Sequence, residues 1–156
     1  MDDPFRYVLL AGLAIALLIA GFTDLRTRQI GNWLTGAVAV TAPLFWWASG
    51  LTLWPGVAEQ LAVALAAFAV LAVLFALRAM GGGDVKLIAA LALWLPWQAV
   101  LVLLFLMSIA GGVLTLGYLI RHKLARREEK LEIPYGVAIA FGGLWLISER
   151  FLNQFG

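Results

Sequence analysis

No charged residue occurs between Arg6 and Asp24, between Arg28 and Glu59, between Glu59 and Arg78, or between Lys86 and Arg121. A single helix needs about 20 mostly apolar residues to cross a bilayer, and these gaps are of that order. Composition agrees: 63% of the residues are hydrophobic and 13% charged, against roughly 45–50% and about 25% in soluble domains. The 156 residues therefore predict an all-α, polytopic membrane protein with about six transmembrane helices. Short loops join them in one transmembrane unit over 1–156, without room for a separate soluble domain.

The chain has no cysteine, which excludes disulfides, thiolate catalysis and a cysteine-ligated zinc site. Its pI is near 9.3, but the net charge is only +2 and the basic residues lie between apolar segments. Orientation in the lipid bilayer explains them better than a nucleic-acid partner does. The first apolar stretch follows an acidic start, Met1-Asp2-Asp3-Pro4, whereas a secretory signal peptide has a basic one. It is expected to be a retained helix.

Apolar runs place helices near 5–23, 33–50, 57–79, 85–97, 98–120 and 134–152. The breaks are Asp24-Leu25-Arg26-Thr27-Arg28, Trp54-Pro55-Gly56, the glycine run Gly81-Gly82-Gly83, Pro96, and the stretch Arg121 to Glu132. The fourth run is short, 13 residues from Val85 to Trp97, or about 20 Å of helix against a hydrocarbon core of about 30 Å. A re-entrant segment is the alternative, and charge argues against it. With six spans, the loops Asp24–Asn32, Arg78–Lys86 and Arg121–Glu132 share one side and carry nine of the eleven basic residues. By the positive-inside rule that side is cytoplasmic and both termini face outward. Trp46, Trp47, Trp54, Trp94 and Trp97 then gather toward the outer interface, where amphipathic rings settle. A short fourth helix implies local thinning or a water-filled indentation beside it.

Most charges have a plain reading. His122 lies among arginines and lysines as a solvated loop residue, and a lone histidine does not make a metal site. Glu128, Glu129 and Glu132 offset neighbouring basic residues. Glu59, Gln60, Glu149 and Arg150 fall near helix ends, where charge reaches the interface cheaply. Asp24 and Asp84 differ: the topology brings them to the same face at similar depth, although they are 60 residues apart. Both could be merely interfacial, with Arg26, Arg28 and Lys86 as loose counter-charges. Together they could do more. Two carboxylates sharing a site do not both ionise easily, so one can activate water while the other donates a proton to a carbonyl. No metal, cofactor or nucleophilic side chain is required. Three glycines next to Asp84 would let a backbone approach closely.

The segment Gly81-Gly82-Gly83-Asp84-Val85-Lys86-Leu87 resembles the GxGD motif of the type IV prepilin peptidases, in the form GxGDVKL. Asp24, followed by Arg26, Arg28 and Ile30-Gly31-Asn32, resembles that family's first catalytic segment, an Asp shortly before Ile-Pro-Asn. Pro134-Tyr135-Gly136-Val137-Ala138 is similar to the stretch that opens the family's last helix. Size points to the short branch, similar to the peptidases of tight-adherence (Flp-type) pilus systems. The resemblance implies six transmembrane helices in the bacterial inner membrane and a catalytic pair at Asp24 and Asp84. It implies cleavage of the basic leader from prepilins or pseudopilins at the cytoplasmic face. Gly81, Gly83, Asn32, Lys86, Pro134 and Tyr135 match as motif or backbone support. Lys86 is read either as tuning the charge of the pair or as marking the cytoplasmic boundary. Gly31 stands where the family has proline, and the extra cytoplasmic region of the long prepilin peptidases is missing, so methyltransferase activity is not carried over.

Two other functions remain open at this point. One is a small ion-coupled transporter with the aspartates as ion sites, though such sites lie near the midplane; the other is a non-catalytic pilus-assembly scaffold. The topology itself is testable in a chain without native cysteines. A cysteine introduced as Ala125→Cys is expected to react with an impermeant maleimide from the cytoplasmic side only, and labelling from outside would overturn the six-span arrangement.

Overall fold

A computed structural model describes the backbone of residues 4–125 and 133–152, and the side chains of residues 4–121 and 133–149. Six α-helices make up the described chain: α1 (Pro4–Thr27), α2 (Asn32–Ala48), α3 (Ala58–Ala76), α4 (Gly82–Ala92), α5 (Trp97–Ala125) and α6 (Tyr135–Leu152). A kinked segment, Leu53–Val57, in which Trp54 is extended (φ −134°, ψ 130°), leads into α3. The segments Pro4–Thr27, Leu53–Ala76 and Trp97–Arg121 are long and apolar enough to cross a membrane, and Tyr135–Glu149 is a shorter apolar helix. Large apolar side chains cover the outside, among them Val40, Leu65, Phe105 and Val113, each at least 65% exposed. A surface of this kind suits lipid rather than water, and the molecule is an all-helical, multi-pass membrane protein.

The short helix is the centre of the bundle. α4 packs on α2, α3, α5 and α6, while α1 packs on α2 and α6, and α5 on α6. Seven of the eleven residues of α4 are buried, and Leu87, Ile88 and Ala92 are fully so. Apart from Asp84 and Lys86 its side chains are apolar, and a helix apolar on most sides belongs inside. α3 is the opposite case, with only Ala64 and Leu71 buried, and α4 is its main helical neighbour.

Several boundaries depart from the sequence expectation. The fourth helix spans Gly82–Ala92, not 85–97, so two of the three glycines form its first turn instead of a break. Close packing selects them. A Cβ on Gly82 would lie 3.2 Å from the Phe75 ring, and one on Gly83 would lie 3.2 Å from Ile30 Cβ. α1 continues to Thr27 and ends at Arg28, whose φ of 55° lies in the left-handed region. Gly31 has φ −62° and ψ 135°, the backbone a proline would impose. The exchange at this position therefore preserves the geometry that starts α2.

The tryptophans also divide. Trp47, Trp54 and Trp97 are exposed, and Trp46 and Trp94 are buried among the helices. Trp46 Nε1 donates to the Leu93 carbonyl at 2.7 Å, and Trp94 Nε1 donates to the Val38 carbonyl at 2.8 Å. Trp94 also stacks on Phe45, with ring centroids 4.9 Å apart. These bonds lock the C-terminal end of α4 to α2, where an unpaired indole N–H would be costly. His122, Lys123, Arg126, Arg127, Glu128, Glu129, Lys130, Glu132 and Arg150 lie outside the described side chains.

The central place of α4 sets an expectation for stability. Leu87→Ala is expected to cost about 2–5 kcal/mol through the cavity it leaves. Leu116→Ala, on the exposed face of α5, is expected to be near neutral. Thermal unfolding in detergent checks this, and equal midpoints for the two variants would contradict it.

Candidate active site

The buried residues of α1 are Leu10, Leu13, Leu17, Ala20, Gly21 and Asp24. This is one helical stripe at i, i+3, i+4 and i+7 spacing, and Asp24 continues it with a carboxylate 5% exposed. The last turn of a helix disfavours an anion, because its carbonyls carry partial negative charge. The start of α6 compensates. Gly136 N–H donates to Asp24 Oδ2 at 2.8 Å, giving an acceptor to one of the first amides of α6, which have none within their own helix. Only glycine permits this approach. A Cβ on Gly136 would lie 2.8 Å from Asp24 Oδ2 and 2.9 Å from its Cβ and Cγ. Small residues continue the seam: a Cβ on Gly21 would lie 3.2 Å from Ala140 Cβ, and one on Gly143 would lie 2.7 Å from Leu17 Cδ1.

Asp84 is the third residue of α4 and is 8% exposed. An acidic side chain in the first turn complements the helix dipole. The backbone of Gly81 passes beside its carboxylate, where a Cβ would lie 2.9 Å from Oδ2.

Both aspartates line one cavity of about 730 Å³. The end of α3 and the turn after it, including Phe75, Arg78, Met80 and Gly81, form one wall, and Arg28, Ile133 and Tyr135 complete it. A smaller recess of about 240 Å³ is lined by both aspartates together with Arg28, Gln29, Ile30 and Gly81–Gly83. The larger volume has polar lining and ample room for water. Arg28 and Arg78 line the cavity together with the two carboxylates. Arg28 is anchored to α5: its Nη2 donates to Tyr118 Oη at 3.0 Å, and its Cζ lies 5.1 Å from the Tyr118 ring centroid.

The expected support residues separate into two groups. Gly81 and Tyr135 line the main cavity; the Tyr135 ring packs on Gly111, where a Cβ would lie 2.8 Å from Cε1. Gly83 lines the recess, and Pro134 is fully buried just before α6. Asn32 and Lys86 line neither space. Lys86 Nζ donates instead to Asn32 Oδ1 at 2.9 Å. Two residues along a helix is a rotation of about 200°, which carries Lys86 to the other side of α4 from Asp84.

Gly136 and Tyr118 were not anticipated as site residues, and Arg28 only as a loose counter-charge. Gly136 had a signal, its place directly after Pro134-Tyr135; Tyr118, inside an apolar run, had none. Among the described residues, no three or more His, Cys, Asp or Glu side chains converge as metal ligands. The arrangement supplies two carboxylates around a space for water, which is the equipment of general acid–base hydrolysis. Gly136→Ala is expected to destabilise the protein by about 1–3 kcal/mol through overpacking against Asp24. Gly112→Ala, where a Cβ meets nothing within 4 Å, is the control; unfolding midpoints in detergent measure both, and an unchanged Gly136→Ala would contradict the close approach.

The model of the type IV leader peptidase family matches residues 11–116, a range that contains both aspartates. The prepilin leader peptidase/N-methyltransferase of Burkholderia pseudomallei (strain 1026b) is 30% identical over 142 residues, covering 85% of this chain and 43% of that protein. The prepilin leader peptidase/N-methyltransferase of Aeromonas salmonicida (strain A449) is 39% identical over 67 residues, or 43% of this chain and 22% of its own length. That of Legionella pneumophila is 37% identical over 65 residues, 42% and 22% of the two chains. The chain thus spans less than half the length of these curated relatives. No solved structure matches it. A match that runs over more than half of its length, through both aspartates of the cavity, places this chain in the type IV leader peptidase family.

Proposed function

We propose that this chain is an aspartic endopeptidase that removes the basic leader from Flp-type prepilins or pseudopilins at the cytoplasmic face of the bacterial inner membrane. The observation that carries this reading is the meeting of Asp24 and Asp84, from α1 and α4, on one cavity. The names of the relatives support a prepilin substrate. They also include a methyltransferase activity, and only the peptidase part is proposed for this chain. The cytoplasmic placement follows from the basic loops.

In the reaction, one carboxylate takes a proton from water as its oxygen attacks the scissile carbonyl carbon. The other, protonated, donates to the carbonyl oxygen. Collapse of the resulting diol breaks the C–N bond and returns a proton to the leaving amine. Water is consumed, and no bond forms between peptide and protein. Gly81 and the recess behind it leave room for an extended backbone beside Asp84. The topology read from the basic loops puts both carboxylates at one membrane face, which favours this chemistry over ion transport, whose sites lie near the midplane.

Co-expression with a prepilin from the same genome, read by the gel shift of leader removal, tests the proposal. Wild type is expected to process the prepilin, and Asp24→Asn and Asp84→Asn to process none while still inserting in the membrane. Full processing by either variant would remove the aspartate pair from the mechanism.

A further inference from the structure

Two helices end at the aspartate cavity, α1 and α3, and each is followed by an arginine in the left-handed region. The φ angle is 55° at Arg28 and 58° at Arg78. Glycine is the usual residue at such a helix end, because a side chain in that region is strained. Where α2 ends, away from the cavity, the chain does use glycine: Gly50 has φ 65°. Arg28 and Arg78 are the non-glycine residues with positive φ among the described residues, and both line the cavity. A strained backbone kept for a particular side chain points to a task for that side chain.

Of the two, Arg28 is built into the site. Its backbone N–H donates to the Asp24 carbonyl at 3.0 Å, and it lines the recess beside both aspartates as well as the cavity. Tyr118 holds the guanidinium through Nη2 and through its ring. Tyr118 is a neutral partner, so it fixes the cation without cancelling its charge. Nη1 is buried without a hydrogen-bond partner, so no anion in contact with that nitrogen quenches it. The acidic residues lining either space, among the described residues, are Asp24 and Asp84.

The two carboxylates do not receive this charge equally. Asp24 stands four residues before Arg28, and the guanidinium acts on it electrostatically; the charge that acts on Asp84 is that of Asp24. Helix ends do not separate the pair, because Asp24 meets the start of α6 and Asp84 lies in the first turn of α4. The other cations do not even the balance. Lys86 is bonded to Asn32, and Arg78 is exposed, where water and salt screen it.

We infer that Arg28, held by Tyr118, is a positioning residue that keeps Asp24 the ionised member of the pair, so that Asp24 is the base and Asp84 the acid in cleavage. This rests on the peptidase reading above and adds which aspartate does what. Asp24 takes a proton from water as the water oxygen bonds to the carbonyl carbon, and Asp84 gives its proton to the carbonyl oxygen. When the C–N bond breaks, Asp24 passes its proton to the leaving amine and a hydroxyl of the diol returns one to Asp84. Both groups are then restored.

Cleavage of a prepilin across pH is the first test. Arg28→Gln is expected to move the acidic limb of kcat/KM up by about one pH unit, because the base protonates more readily without the cation beside it. Arg28→Gly, which relieves the strained φ, is expected to move it as far. Arg28→Lys keeps the charge and is expected to move it by less. Arg26→Gln is the control: Arg26 lies 5.1 Å from the Phe22 ring centroid and does not line the cavity, and its limb is expected to match wild type. An unmoved limb in Arg28→Gln or Arg28→Gly, or an equal shift in Arg28→Lys, overturns the inference. Infrared titration of the carboxylates needs no substrate, and is read as the difference from the variant lacking both. In an Asp84→Asn background, Arg28→Gln is expected to move the titration of Asp24 up by about one unit. In an Asp24→Asn background the same change is expected to move that of Asp84 by less than half as much. An equal or larger shift at Asp84 overturns the inference. An inactive wild type would defeat the peptidase reading, while the infrared arm still decides what Arg28 does to Asp24.

Discussion

A carboxylate buried inside a membrane protein must find hydrogen-bond donors within the fold, and the rest of this structure is arranged around one such contact. Asp24 stands at the wrong end of its own helix for an anion, and the Gly136 amide answers it across 112 residues of sequence. That bond fixes the start of α6 against the end of α1. It also requires glycine at 136, and small residues at 21, 140 and 143 let the two helices meet along their length. Asp84 is held on the same logic, at the N-terminal end of α4. Each carboxylate thus stands beside the positive end of a helix, and the cavity between them is bounded by those helix ends.

The shortness of α4 has a structural use. A helix of eleven residues cannot fill the depth of a bilayer, but this one is surrounded by protein and has little need to. Its bonds to α2 through Trp46 and Trp94 hold one end, and its glycine end stops short and leaves the space that the aspartates share. α3 flanks this space and depends mainly on α4 for support. A tightly packed centre therefore holds one aspartate in place, and the end of a sparsely packed helix forms one wall of the cavity.

Much of this was legible in the sequence, and the exceptions have causes. Charge-free runs revealed the helices because lipid tolerates little else. Asp24 and Asp84 were conspicuous because acidic residues are costly near lipid, and the cavity joins them as expected. The start of α4 was misplaced because three glycines read as a break by propensity, whereas packing against Phe75 and Ile30 demands them. The bonds of Trp46 and Trp94 were hidden because the carbonyls that their indole N–H groups meet lie 47 and 56 residues away. Lys86 follows Asp84 so closely that it read as a possible partner of the pair; helical rotation sends it to Asn32 instead. Gly136 was hidden because a glycine's function lies in what comes near it, and nothing local names a neighbour 112 residues away.

The central claim is that the side chains of Asp24 and Asp84 face each other across one cavity in the assembled protein. Because the chain has no cysteine, a double variant carrying Asp24→Cys and Asp84→Cys tests it in native membranes. A short bifunctional thiol reagent, followed by cleavage at a protease site inserted between α3 and α4, reports whether the two fragments remain joined. The fragments are expected to stay linked until the bridge is reduced, and a pair carrying Asp24→Cys with Gly112→Cys is expected to separate. Separation of the Asp24→Cys, Asp84→Cys fragments, with each thiol shown to react with a monofunctional reagent, would contradict it.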